Sequence, residues 1–204
     1  MNILLTGSSG LLGQHLKLPA HRPSHSQLDI THKIKPRKYD LVIHAAGYTH
    51  VEQAEIDKME CFDVNVRGTL NLLNAYPETP FVYISSEYAN KPVNFYSLTK
   101  SLAEQLVMDH PHYLIIRTLF KPRPWKYPRA FVDQWTLGDY VDVIAPRIEE
   151  AIKTWAEGFK FKSKLAYVGT GRKLIFNLAK QTRLDVQPMS IREIKTVKLP
   201  ADYA

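Results

Sequence analysis

The sequence predicts an α/β protein with a doubly wound parallel sheet. Three observations carry this. A short apolar run, Asn2–Thr6, ends in a glycine turn and passes into an amphipathic segment. Further short runs, YDLVIH (39–44), FVYIS (81–85) and YLIIR (113–117), are apolar throughout rather than alternating. Helical stretches separate them. Fully apolar strands that alternate with helices belong to a parallel sheet covered on both faces.

Taken in order, Gly7-Ser8-Ser9-Gly10 follows the first strand, and Leu11, Leu12 and Leu16 give the next helix its apolar side. His21–Ile34 is polar and reads mostly as loop. Tyr39–His44 is a buried strand, followed by the small residues Ala45-Ala46-Gly47. A helix is expected from about Val51 to Ala75, with Pro77 and Pro80 beyond its end. Phe81–Ser85 is the next strand, and Phe95 to Asp109 the next helix, stopped before Pro111. Tyr113–Arg117 is a further strand. Lys121–Pro128 carries three prolines and reads as loop. Helices around Arg147–Ala156 and Lys173–Gln181 flank a short strand at Leu165–Val168, and residues 186–204 read as irregular. The expected organisation is a nucleotide-binding domain at 1–118 and a reduced substrate-binding region at 119–204 packed on it.

Composition bounds the function. The 204 residues, 45% hydrophobic and 23% charged, suit a folded domain with a sizeable core. A single cysteine, Cys61, excludes an internal disulfide and points to a reducing, cytoplasmic setting. No apolar run reaches membrane-span length, and the N-terminus does not read as a signal peptide. The net charge of +7 suits a polyanionic ligand such as a dinucleotide or nucleotide sugar. Base-reading motifs are missing, so nucleic acid is not an expected partner. The histidines show no metal-ligand spacing, and no metal is expected.

Two motifs carry chemistry. In Thr6-Gly7-Ser8-Ser9-Gly10-Leu11-Leu12-Gly13, Gly7 permits a tight turn, Gly10 lets backbone approach a pyrophosphate, and Gly13 lets helix and strand pack closely. No acid stands between Gly13 and Asp29, where a ribose ligand would be expected. Arg22 stands there instead and favours the 2′-phosphate of NADPH over NADH, with NAD still possible. The second motif is Ser85-Ser86-Glu87 with Tyr96 and Lys100. Tyr96 and Lys100 share one helix face. The lysine is expected to lower the tyrosine pKa. Ser86 can hold a carbonyl oxygen while Tyr96 protonates it and Lys100 binds the nicotinamide ribose.

These residues resemble the extended short-chain dehydrogenase/reductase family, and within it the dTDP-4-dehydrorhamnose reductase branch. The segments TGSSGLLG (6–13), QLDIT (27–31), AAGYTHVEQAE (45–55), DVNVRGTLNLL (63–73), YISSEY (83–88), YSLTK (96–100) and IIRT (115–118) carry the resemblance. It implies a Rossmann-like fold and a cytoplasmic NAD(P)H-dependent reductase of a nucleotide-activated 4-keto-6-deoxy sugar. The implied catalytic residues are Ser86, Tyr96 and Lys100. Implied cofactor contacts are Gly7, Ser9, Gly10, Leu11 and Leu12 at the pyrophosphate, Asp29 and Ile30 at the adenine, and Ala45, Ala46, Gly47, Tyr48 and Ser85 beyond. Substrate contacts are expected from Ser86, Glu87, Tyr88 and Tyr96, and from the basic, aromatic loop through Lys121, Arg123 and Trp125. A homodimer is the expected assembly. Two alternatives are an epimerase or dehydratase of the same superfamily and a non-catalytic NAD(P)-binding regulatory subunit. The chain departs from the family in its length and in the nine residues that separate Ser86 from Tyr96, where relatives carry a longer loop.

Overall fold

The computed structural model describes residues 1–158 and 161–202. Its main sheet is parallel, with β1 (Ile3–Thr6), β2 (Leu41–His44), β3 (Phe81–Ser86), β4 (Tyr113–Thr118) and β9 (Lys164–Tyr167) in the order β1-β2-β3-β4-β9. Strands β1, β2 and β3 are buried along their whole length, as fully apolar parallel strands should be. On the far side of β1 the chain makes a one-residue bridge, Leu4 to His21, in place of a further strand. The residues between Gly13 and Asp29 are too few to form both a crossover helix and a strand.

Helices cover both faces. On one, α1 (Leu11–His15) with the following Leu16, and α5 (Val141–Gly158), pack Leu12, Leu16, Ile144, Ile148, Ile152 and Trp155 against Ile3, Leu5, Ile43 and Ile116. On the other, α3 (Gly68–Ala75) and α4 (Phe95–Met108) pack Leu72, Leu73, Ala103 and Val107 against Leu4, Val42, Phe81 and Ile115. Burial of this kind contributes about 25 cal/mol per Å² of apolar surface and is the main force holding the three layers.

The single helix expected over 51–75 is divided. A 3₁₀ turn at Gln53–Glu55 leads to α2 (Lys58–Phe62), and a π-helical turn at Asp63–Arg67 joins α2 to α3. That turn places Asn65 in the interior, where it meets Tyr48 and Thr99. The helix expected around 147–156 is longer and runs through Pro146.

The segment after residue 118 has two roles. β9 and α5 complete the main sheet and its core. The remainder forms a cap of short pairs: β5 (Phe120–Lys121) with β8 (Asp139–Tyr140), β6 (Arg129–Phe131) with β11 (Gln187–Met189), and β7 (Trp135–Thr136) with β10 (Lys173–Leu174). Helix α6 (Ile175–Lys180) supports them. Tyr140, Trp125, Ile175, Leu178 and Val186 form the cap's own core. The expected irregular end therefore contains a short strand, and its last two residues lie outside the described ones.

Candidate active site

The glycine turn sits at the C-terminal edge of the sheet. Gly7 has φ +69°, and a Cβ there would lie 2.4 Å from the Ala46 nitrogen. A Cβ on Gly13 would lie 2.3 Å from the Gly7 carbonyl oxygen. Both glycines are therefore required for strand, turn and helix to close on one another. Beside them opens a cleft of about 520 Å³, lined by Thr6–Gly13, Leu28–Thr31, Ala45–Gly47 and Lys121. It brings together Gly7, Ser9, Gly10, Leu11, Leu12, Asp29, Ile30, Ala45, Ala46 and Gly47. These residues could hold the pyrophosphate and adenosine of a dinucleotide. The Asp29 carboxylate accepts from the Thr31 amide and hydroxyl, and these bonds hold its pKa below the usual value.

Further along the same edge is a smaller cavity of about 170 Å³, lined by Gly47, Tyr48, Ser85, Ser86, Tyr88, Tyr96, Lys100 and Lys121. Helix α4 begins at a capping box in which Asn94 and Ser97 satisfy each other's backbone amides. This fixes Tyr96 in the first turn and Lys100 one turn on. Tyr96 and Ser86 both line this cavity. The Ser86 oxygen accepts from the Tyr88 amide at 3.2 Å. The three predicted catalytic side chains thus face one cavity.

Their electrostatics differ from the expectation. Burial pushes the Tyr96 phenol up to about 12, against a smaller lowering from Ser86. Lys100 does not lower it. The lysine donates to the Ile84 carbonyl at 2.9 Å and lies 4.1 Å from the Tyr83 ring centroid. Burial brings its own pKa down to about 7, against the pull of Glu104. The i,i+4 spacing is correct, but burial of the phenol sets the direction of the shift.

Four other predicted residues have different partners. The Arg22 guanidinium donates to the carbonyls of Gly13, Leu16 and Leu18 and so ties down the end of α1. It is not available to a 2′-phosphate. We expect Arg22→Ala to weaken NADPH and NADH alike, by loosening the cleft wall. Fluorescence titration of both cofactors checks this, and selective loss of NADPH would contradict it. Glu87 is buried, and its oxygens accept from the Thr136 hydroxyl and the Leu137 amide. It anchors the cap to the end of β3 instead of facing substrate. Arg123 pairs with Asp142 and stacks on Tyr140. The Ser85 hydroxyl points to the opposite face from Ser86, as strand alternation requires, and donates to Glu104 at 2.5 Å.

The cleft also has a buried polar support that the sequence did not reveal. The Thr69 hydroxyl donates to the Asn65 carbonyl at 2.7 Å, so its oxygen accepts from His44 Nε2. His44 Nδ1 is then the acceptor for the Thr6 hydroxyl, at 2.8 Å. Burial holds His44 neutral, with its pKa lowered to about 3. Unfolding releases it to its ordinary value of about 6.5. Between these values the unfolded chain binds the extra proton, so stability falls as pH drops from about 6.5 towards 3. His44's share of the loss is on the order of 4 kcal/mol at the acid end. Urea unfolding across this range should show a shallower acid limb in His44→Gln; an unchanged slope would assign the loss to other groups.

A third cavity, of about 620 Å³, opens between the main sheet and the cap. Tyr88, Lys121, Trp125, Tyr127, Arg129 and Phe131 are among its lining residues. Trp125 is a buried wall whose indole donates to the Arg129 carbonyl; Tyr127, half exposed, packs edge-on against it at 5.4 Å. Thr49 and His50, which the motif reading did not reach, line this cavity and the dinucleotide cleft. They lie within the AAGYTHVEQAE segment (45–55), which carried the resemblance without marking them as site residues. Among the described residues there is no cluster of His, Cys, Asp or Glu able to hold a metal ion, and no helix is long and apolar enough to cross a membrane.

Comparison with known proteins finds relatives in both sequence and fold. A sequence family described as "Polysaccharide biosynthesis protein" matches residues 24–117. The dTDP-4-dehydrorhamnose reductase of Aggregatibacter actinomycetemcomitans is 30% identical over 169 residues, covering 68% of this chain and 52% of that protein. The GDP-6-deoxy-D-mannose reductase of Pseudomonas aeruginosa is 31% identical over 141 residues, covering 52% of this chain and 46% of that protein. The chain thus spans about half the length of the curated relatives it matches. Among solved structures, the dTDP-4-dehydrorhamnose reductase of Bacillus anthracis in complex with NADP superposes with a TM-score of 0.80 at 23% identity, covering 100% of this chain and 88% of that one. The Clostridium acetobutylicum counterpart gives 0.84 at 21% identity, covering 100% and 89%. The chain thus has the fold of these solved reductases, and residues 24–117 match the polysaccharide biosynthesis family model.

Proposed function

We propose that the protein is an NADPH-dependent reductase of a nucleotide-activated 4-keto-6-deoxy sugar. The observation that carries this is the single cavity in which Ser86, Tyr96 and Lys100 meet, continuous with the glycine-turn cleft. When bound, NADPH supplies a hydride to the keto carbon. The Ser86 hydroxyl holds the keto oxygen. Tyr96 donates its phenolic proton to that oxygen as negative charge develops. Its high pKa keeps it protonated at neutral pH, which suits reduction; oxidation would need the phenolate. Lys100 would hold the nicotinamide ribose by donating hydrogen bonds from Nζ. The choice of NADPH rests on relatives: neighbours from Bacillus anthracis and Pseudomonas aeruginosa are complexes with NADP and NADPH. The choice of sugar rests on the names of the curated relatives.

The test is direct. The protein is mixed with NADPH or NADH and a panel of dTDP-, GDP- and UDP-linked 4-keto sugars, and the absorbance of the reduced nicotinamide is followed. Consumption with one of these sugars supports the reading. Cofactor binding without turnover on any of them would make the chain a cofactor-binding regulatory subunit. Absence of cofactor binding would refute the whole assignment.

A further inference from the structure

Two residues, Thr49 and Lys121, line all three cavities, and of the two only Lys121 carries a charge. It lines the dinucleotide cleft, the Ser86–Tyr96 cavity and the aromatic cavity under the cap. Its position is fixed by the two-residue pairing of β5 with β8, where Lys121 stands opposite Tyr140. The ammonium lies 5.8 Å from the Tyr127 ring centroid.

The charge on Lys121 is uncompensated. Among the described residues it forms no ion pair, whereas cations around it are matched: Arg123 with Asp142, Arg129 with Glu193, and Lys173 with Asp139. The acids that border the cavities are also engaged. Glu52 accepts from Thr196, and Asp29 from Thr31. Burial pushes the Lys121 ammonium below its ordinary pKa. A partly desolvated cation with only an aromatic ring beside it is stabilised by an arriving anion.

Two anions could come from the reading above: the cofactor's pyrophosphate and the substrate's diphosphate. The first has the backbone of the glycine turn. The aromatic cavity has the exposed Tyr127 face and Phe131 for a base, and its other cation, Arg129, is already paired. We propose that Lys121 holds the diphosphate of the nucleotide-activated substrate where the aromatic cavity meets the Ser86–Tyr96 pocket. This inference rests on the proposed sugar-nucleotide reading and adds the residue that takes the charge.

Calorimetric titration of NADPH-saturated protein with dTDP, and with thymidine as its uncharged counterpart, tests it. Saturation with NADPH keeps the probes off the glycine turn. We expect Lys121→Met to weaken dTDP at least tenfold, to leave thymidine unchanged, and to change NADPH affinity less than twofold. Lys121→Arg should recover most of the dTDP affinity. Equal dTDP affinity in wild type and Lys121→Met overturns the proposal, as does failure of dTDP to bind the loaded wild type. A loss of NADPH affinity matching that of dTDP also overturns it, because Lys121 would then serve the cofactor. Failure of wild type to bind NADPH refutes the underlying reading instead. A thermal unfolding scan of each variant confirms that the fold is retained.

Discussion

Tyr96→Phe should lower turnover about 10²- to 10⁴-fold, the range for loss of a positioned proton donor. The ring stays in place, packed edge-on against Tyr88 with centroids 6.2 Å apart, so the pocket keeps its shape. Only the hydroxyl is lost. NADPH affinity should therefore change little, and the defect should appear in kcat rather than in cofactor Kd. Steady-state kinetics paired with cofactor titration separates the two. Turnover within tenfold of wild type would remove Tyr96 from the chemistry and pass the proton to another donor.

Glu104→Ala should destabilise the fold by about 3–5 kcal/mol, the cost of leaving one partner of a buried ion pair alone. Glu104 is fully buried on α4 and binds Arg117 of β4 through both oxygens, at 2.6–3.2 Å. It also accepts from Ser85, while Arg117 continues to Asn90 and Tyr167. This network locks α4 against β3 and β4, and with it the register of Tyr96 and Lys100 against Ser86. Glu104→Gln keeps the shape and the Ser85 bond, so its loss should be smaller. Without the carboxylate's charge, burial should lower the Lys100 pKa further from its ordinary value. Urea unfolding gives the stabilities; a loss under about 1 kcal/mol for Glu104→Ala would show that Arg117 finds solvent without cost.

The local motifs were legible in the sequence. Gly7, Gly10 and Gly13 announce a turn because backbone geometry leaves few other uses for that spacing, and Tyr96 and Lys100 share a face because helices repeat. The partners of charged groups were not legible, because they are set by tertiary contact. Arg22 had the right neighbourhood for a phosphate, yet the short α1 left bare carbonyls that claimed it. Glu87 follows the catalytic serine but bonds Thr136 and Leu137, about fifty residues away. The sign of the Tyr96 shift was missed for the same reason. Spacing fixes the distance between two groups, whereas burial sets what each charge costs.

The one-residue bridge at His21 has a consequence for assembly. A parallel sheet that stops at β1 would present an open ladder on which another chain could grow. Here His21 uses its own amide on the Ile3 carbonyl and its carbonyl on the Leu5 amide, at 2.8 and 2.9 Å. Its ring bonds the Tyr39 hydroxyl and stacks on that ring, which holds the plug in place. The loop thus occupies the outer backbone groups of Ile3 and Leu5, which leaves a second chain less open ladder to pair with on this side of the sheet.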